Sequence, residues 1–309
     1  MEEQVGKVKI NLEYYPGKEF YSDGDTIEEE LLNIVKNNKP DEYEAILKAS
    51  NKWPLLYHLS EIRGNIIEWM PITKQDSVLE IGAGCGAITG FLANKAKEVT
   101  CIDLSKRRSL INAYRNQNKD NIEIIVGNFQ DIKINREYDY ITLIGVFEYG
   151  EQYILAKKPY QDFLKKILTY AKPGAKIAIA IENKLGMKYW AGCREDHCGK
   201  YFEGIEGYTE TSGVKTFSKP ELEELFEICG VKKYQFYYPY PDYKFPKVIY
   251  SDDFLPQQGD LNINNMNLDA ERLVLFNEAK AFNTIISSKL FPIYSNSYMV
   301  ILEKDECDE

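Results

Sequence analysis

The spacing of apolar positions divides the chain into two regimes. Before about residue 75 they recur at three- and four-residue steps, the period of one helix face. Thr26-Ile27-Glu28-Glu29 has the spacing of a capping box and predicts a helix through about Lys36. A second helix is expected over about 41–49, and Leu55, Leu59, Ile62 and Ile66 predict a longer one over 53–67. Residues 1–22 alternate polar and apolar and read as a strand-like or poorly ordered arm. From residue 77 onward, short apolar runs alternate with helical stretches, as in a parallel α/β protein. Strands are expected at 77–81, 98–103, 122–126, 139–144 and 176–181, with helices near 106–117 and 159–172, the latter before Pro173-Gly174. Ser218-Lys219-Pro220-Glu221 predicts another capped helix that Gly230 ends. Strands near 231–238 and 297–303 would form an antiparallel hairpin. Two long insertions remain, at 183–216 and 239–296, the second with a helix near 269–289; connections this long serve as lids or binding loops. The resulting organisation is a mainly helical cap over 1–75 and an α/β domain over 76–309.

The chemistry concentrates where the first α/β strand ends. Val78-Leu79-Glu80-Ile81 runs directly into Gly82-Ala83-Gly84-Cys85-Gly86, with glycine at every second position. Glycine admits positive φ and the close approach of a ligand. The next strand, Val99-Thr100-Cys101-Ile102, ends in Asp103, a carboxylate able to accept hydrogen bonds from both hydroxyls of a ribose. A dinucleotide site would show G-x-G-x-x-G facing a pyrophosphate. Here an acid, Glu80, stands two residues before the first glycine, which disfavours a pyrophosphate and suits a ligand with an ammonium group.

This combination resembles the class I S-adenosylmethionine (SAM)-dependent methyltransferases. The resemblance implies a Rossmann-like sheet of parallel strands closed by the antiparallel hairpin, with a helical N-terminal cap and two lid insertions. It implies that Glu80, Gly82, Ala83, Gly84 and Gly86 pass the amino-acid part of SAM and that Asp103, with Leu104, holds the ribose. After the third strand, Asn128 stands where most members carry an acid for the adenine amino group, and Phe129 would line the adenine. The fourth strand ends in Gly145-Val146-Phe147-Glu148-Tyr149, which implies Gly145 at the cofactor and Glu148 and Tyr149 toward the acceptor. The Asn or Asp-Pro-Pro-Tyr signature of amino-methylating relatives is missing there.

The chain has only two histidines. Methyl transfer to an aliphatic hydroxyl needs the acceptor aligned and its proton removed, and histidine titrates in the right range. His197, preceded by Glu195 and Asp196 in the first insertion, is the leading base, with Asp196 as a carboxylate able to orient it; His58 is the second candidate. In the aromatic run after residue 234, Tyr240, Asp242 and Tyr243 are expected to form a substrate wall, since tyrosine offers a flat face and a hydroxyl to a sugar ring.

Composition narrows the partners. A net charge of -10 argues against a nucleic-acid substrate, and Lys106-Arg107-Arg108 reads as a solvated helix start. No apolar run is of membrane-span length and no signal peptide is expected, which places the protein in the cytoplasm. The six cysteines show no disulfide framework. Cys193 and Cys198 flank His197 but no second pair completes a zinc set, so no metal is expected.

Whole phrases carry a closer resemblance: Trp53-Pro54 with Tyr57-His58-Leu59-Ser60, Ile181-Glu182-Asn183-Lys184-Leu185-Gly186, Glu195-Asp196-His197, and Tyr238 through Lys244. They are similar to methyltransferases of bacterial cell-surface polysaccharide biosynthesis, some joined to glycosyltransferases, which implies O-methylation of a sugar or glycan-linked acceptor. N- or O-methylation of a small secondary metabolite, or a silent SAM-binding scaffold acting through a protein partner, are the competing readings.

Overall fold

The computed structural model describes residues 2–19, 24–211, 213–266 and 270–306. Cys307 lies outside them, as do parts of the expected N-terminal arm and the start of the helix expected from 269. The chain divides into two compact units, residues 1–143 with 170–175 and residues 144–169 with 176–309.

The first unit is built on β1 (Glu2–Val5), β2 (Val8–Asn11), β3 (Ser77–Ile81), β4 (Glu98–Asp103), β5 (Ile122–Val126) and β6 (Tyr138–Ile144), side by side in the order β1-β2-β5-β4-β3-β6. The first pair is antiparallel and the rest are parallel. Parallel strands covered on both faces must be apolar throughout; all five residues of β3 are buried, and Glu80 is the one carboxylate among them.

The helix Asp25–Asn37 begins one residue before the expected cap. The carbonyl of Gly24 accepts from Ile27 and Glu28, and Thr26 lies inside the helix, so the capping box expected there does not form. The helix expected over 53–67 is broken into Trp53–Leu59, a 3-10 turn Glu61–Gly64 and Asn65–Glu68, because Ser60 is extended. A Cβ at Gly64 would lie 2.5 Å from the Phe91 ring, so the backbone approaches Phe91 at a position where a side chain would clash. Leu31, Val35, Tyr43, Leu55 and Leu59 bury against Ile111 and Cys85, tying the N-terminal helices to the glycine turn.

The helix Lys106–Arg115 is capped by Ser105, whose Oγ accepts from the Arg108 amide at 3.2 Å. Its basic start is not simply solvated. Lys106 pairs with Glu3 (2.7 Å), Arg107 pairs with Asp25 (2.6 Å), and the Arg108 guanidinium lies against Gly84.

β7 (Ala171–Glu182) starts in the first unit and from Lys176 belongs to the second. Pro173 and Gly174, expected to precede the strand, lie within it, with Gly174 at φ +75°. The second unit continues with β8 (Lys233–Tyr240), β9 (Val248–Ser251) and β10 (Ser297–Glu303), in the antiparallel order β7-β10-β8-β9. The expected hairpin strands are thus antiparallel neighbours, and the second insertion adds β9, which the pattern did not foreshadow. Only the later part of the expected helix near 269–289 forms, as Glu278–Ser287 capped by Asn277. Phe147 stacks on Phe163 at 5.6 Å and, with Tyr160 and Phe217, fills the core below the start of this unit. Among the described residues no helix is long and apolar enough to cross a membrane.

The capping box at Ser218 forms in full over the helix Lys219–Ile228. Ser218→Ala is expected to destabilise the protein by about 1 kcal/mol, read as a lower midpoint in chemical denaturation at unchanged slope.

Candidate active site

The first unit places a glycine turn beside a carboxylate. The amides of Gly82 and Ala83 both donate to the Ile102 carbonyl, so the turn leaves β3 while still tied to β4. Gly82, Gly84 and Gly86 all have positive φ. At Gly86 a Cβ would sit 2.4 Å from Asn112 Oδ1, and at Gly84 2.9 Å from Arg108 Nη2, so side chains are excluded on both counts. Asp103, closing β4, accepts from the Gly84 amide through Oδ2 (2.7 Å) and from the Ser105 amide through Oδ1 (2.9 Å). These bonds fix the carboxylate against the turn, and each oxygen keeps a lone pair for a further hydroxyl. Glu80 is buried beneath the turn, where its Oε2 accepts from Thr89 (2.6 Å) and from the Cys101 thiol (3.4 Å). Burial raises Glu80 to about 7 against the pull of those two bonds.

The second unit gathers a different set of groups. Glu148 stands in the 3-10 turn Phe147–Tyr149 directly after β6, and Glu182 is the last residue of β7. Glu195, Asp196 and His197 follow the short helix Met187–Trp190, and Asp242 and Lys244 follow β8. Glu195 binds His197 twice: its Oε2 accepts from the backbone amide (2.7 Å) and its Oε1 lies 2.9 Å from Nδ1. His197 Nε2 lies 3.3 Å from Glu148 Oε1 and 3.9 Å from Glu182 Oε2. Lys244 bridges Glu182 and Asp196, and Lys188 bridges Asp196 (2.8 Å) and Asp242 (2.7 Å). Burial works against an imidazolium at His197, but the hydrogen bonds to Glu148 and Glu195 outweigh it and hold its pKa well above the usual histidine range. Burial also opposes ionisation of Glu195, which His197 nevertheless pulls down to about 2. Glu182 is pushed up by burial, with Lys244 opposing.

Residues 79–177 match a family described as a methyltransferase domain. An uncharacterized methyltransferase of Staphylococcus carnosus is 27% identical over 203 residues, 65% of this chain and 89% of that protein. The chain is a SAM-dependent methyltransferase of class I. A ribosomal RNA small subunit methyltransferase A of Malacoplasma penetrans is 26% identical over 52% of the chain and 56% of its own length. Phosphoethanolamine N-methyltransferase 1 of Haemonchus contortus, solved with phosphoethanolamine and S-adenosylhomocysteine, aligns with a TM-score of 0.51 at 13% identity. That alignment covers 92% of this chain and 49% of the other, and it shows the Rossmann-like fold. The methyltransferase thus spans about half the length of these last two proteins, whose named acceptors differ from each other.

Leu104 and Asn128 are partly exposed, and the Asn128 side chain caps its own turn by accepting from the Gln130 amide. Phe129 has no exposed surface and packs on Tyr170, so it is a core residue and not a wall for the adenine. Gly145 has φ +72° and the Tyr243 hydroxyl packs where its Cβ would be, which joins two residues chosen for different reasons. Tyr149 sets its ring edge against the His197 imidazole at 5.4 Å. Tyr240 is not a substrate wall: its hydroxyl donates to the Ile263 carbonyl (2.9 Å) and accepts from the Ile263 amide (2.7 Å). Asp242 is spent on Lys188 and on the Lys244 amide.

Of the three catalytic candidates, His197 and Asp196 share the cluster of the second unit. His58 is buried in the first unit, where it and Arg108 lower the Cys85 thiol against the effect of burial. Glu195, not Asp196, orients the His197 ring, since Asp196 is held by the two lysines and by Tyr189. Both ring nitrogens of His197 are engaged and its proton is tightly held, so it is not a free base. Glu182, Lys188, Glu195 and Lys244 were missed as site residues. Glu182, Glu195 and Lys244 nonetheless stand within the phrases quoted for the closer resemblance. The five cysteines among the described residues are free, and Cys193 is buried with its thiol pushed up to about 12.

Glu80 gives a pH signature. Its folded pKa, about 7, exceeds its ordinary value of 4.5. Between those values the unfolded chain sheds a proton that the folded protein keeps, so stability falls as pH rises from about 4.5 to 7. Glu80→Gln is expected to remove this loss, raising stability at pH 8 relative to the parent by about 3 kcal/mol while changing it little at pH 4.5, in paired denaturation curves. Gly86→Ala is expected to lower the melting temperature, because it forces a side chain onto Asn112 at positive φ.

Proposed function

We propose that the acceptor is a hydroxyl of a sugar or glycan-linked molecule. The observation that carries this reading is Glu148: Oε1 is engaged by His197 while the buried Oε2 has no partner among the described residues. A carboxylate oxygen is a hydrogen-bond acceptor, so it pairs with a donor such as a hydroxyl and is placed to take its proton. Tyr149 beside it offers an aromatic face with a polar tip, which suits a sugar ring. The net charge of -10 supports an acceptor other than nucleic acid, and the phrases similar to polysaccharide-pathway methyltransferases support the glycan class. SAM supplies the methyl group on an activated sulfonium. On this reading the glycine turn and Glu80 receive its amino-acid part, Asp103 its ribose and Asn128 its adenine, while Glu148, held by His197 and Glu195, orients the acceptor hydroxyl.

The deciding experiment is incubation with methyl-labelled SAM and a panel of nucleotide sugars, lipid-linked saccharides, amines and small phenols. Label in a saccharide ether is expected; label confined to amines or phenols would replace this reading with the small-metabolite one. Asp103→Ala is expected to weaken SAM binding by about 1–3 kcal/mol in calorimetric titration, and unchanged affinity in a folded protein would remove Asp103 from the ribose site. His197→Ala is expected to leave SAM affinity unchanged and slow turnover by roughly two orders of magnitude.

A further inference from the structure

We infer that Glu148, Glu182 and His197 form a binding site for a divalent transition-metal ion, which the sequence alone gave no reason to expect. One ligating atom from each lies within 4.8 Å of the others, and all three residues belong to the second unit. Nε2 stands 3.3 Å from Glu148 Oε1 and 3.9 Å from Glu182 Oε2. An ion about 2.0–2.2 Å from each of its nitrogen and oxygen ligands holds them roughly 3–4 Å apart, so the three need only close slightly around it.

Three further features point to a bound cation. Glu148 Oε2 and Glu182 Oε2 are buried and have no hydrogen-bond partner among the described residues, and buried polar atoms ordinarily have one. Lys244 holds the other oxygen of Glu182, leaving Oε2 toward the imidazole. Glu195 sits behind the ring at Nδ1, the arrangement by which metal-bound histidines are oriented and made more basic. Finally, five carboxylates (Glu148, Glu182, Glu195, Asp196 and Asp242) meet two ammonium groups, Lys188 and Lys244, and the one imidazole of His197 among the described residues of the cluster. Uncompensated buried charge of that size is strongly unfavourable, and a divalent ion reduces it.

One imidazole nitrogen with two carboxylates suits Mn²⁺ or Zn²⁺ better than Ca²⁺ or Mg²⁺, which prefer all-oxygen shells. Three protein ligands leave positions open, and the oxygen atoms of a hydroxyl acceptor would fill them. That last step rests on the acceptor reading proposed above; the metal site itself does not.

The test uses the full chain stripped with a chelator, without SAM or acceptor. Titration with Mn²⁺, followed by loss of the free-ion electron paramagnetic resonance signal, is expected to show one saturable site. Glu148→Gln and Glu182→Gln, checked for folding by SAM titration, are each expected to weaken it by roughly 10–100-fold or more. Should those variants not fold, pulsed resonance on the parent protein with ¹⁵N-labelled histidine decides, because the chain has only two histidines and His58 lies in the other unit. Coupling to an imidazole nitrogen is expected. No saturable binding by folded parent protein, no imidazole coupling, or binding indifferent to both glutamine variants would each overturn the site. Metal binding without methylation of any saccharide would count against the acceptor reading alone.

Discussion

Buried negative charge is the constraint around which the second unit is arranged. Glu148 and Glu182 end up in the interior because each closes or follows a strand whose preceding residues are core: Ile141 and Leu143 before one, Ile179 and Ile181 before the other. A carboxylate placed there must find cations or donors. The insertion carrying Glu195, Asp196 and His197 and the turn carrying Asp242 and Lys244 meet at that point to supply them. The long connections are therefore folded by electrostatic necessity as much as by apolar packing, and their aromatic residues serve as spacers: Tyr240 pins Ile263, Tyr189 binds Asp196, and Tyr208 donates to Glu195.

The first unit obeys a different rule. Its determinants are local: a buried strand, a turn that only glycine can make, and an acid directly after the next run of apolar residues. Asp103 and the turn hold each other through the Gly84 amide, so the carboxylate is oriented by the chain's own backbone. Glu80 is the exception that shows what the rule costs, since it is a carboxylate kept in the sheet interior by one hydroxyl and one thiol.

This contrast explains what was legible in the sequence. The strands of the α/β region other than β9, the glycine turn and the Ser218 cap were readable, because each is specified within a few residues. The break at Ser60 was not, because the apolar period of Leu55, Leu59, Ile62 and Ile66 continues straight through it. Nor was the charged cluster: His197 lies 49 residues from Glu148, and Lys244 lies 62 from Glu182. Nothing in a one-dimensional pattern pairs residues so far apart. Tyr240 and Phe129 misled for a related reason. An aromatic side chain has the same signature in sequence whether its hydroxyl or face meets a ligand, a main-chain amide or another ring.

The match to the methyltransferase family runs from residue 79 to 177, a boundary that falls just inside the second unit. It takes in the glycine turn, Asp103 and Glu148 but stops before Glu182, Glu195, His197 and Lys244. The matched segment therefore carries the glycine turn and Asp103 whole, but only one member of the charged cluster, Glu148. A chain matching over the same segment alone would carry the turn and its acid without fixing any of the side chains that surround Glu148.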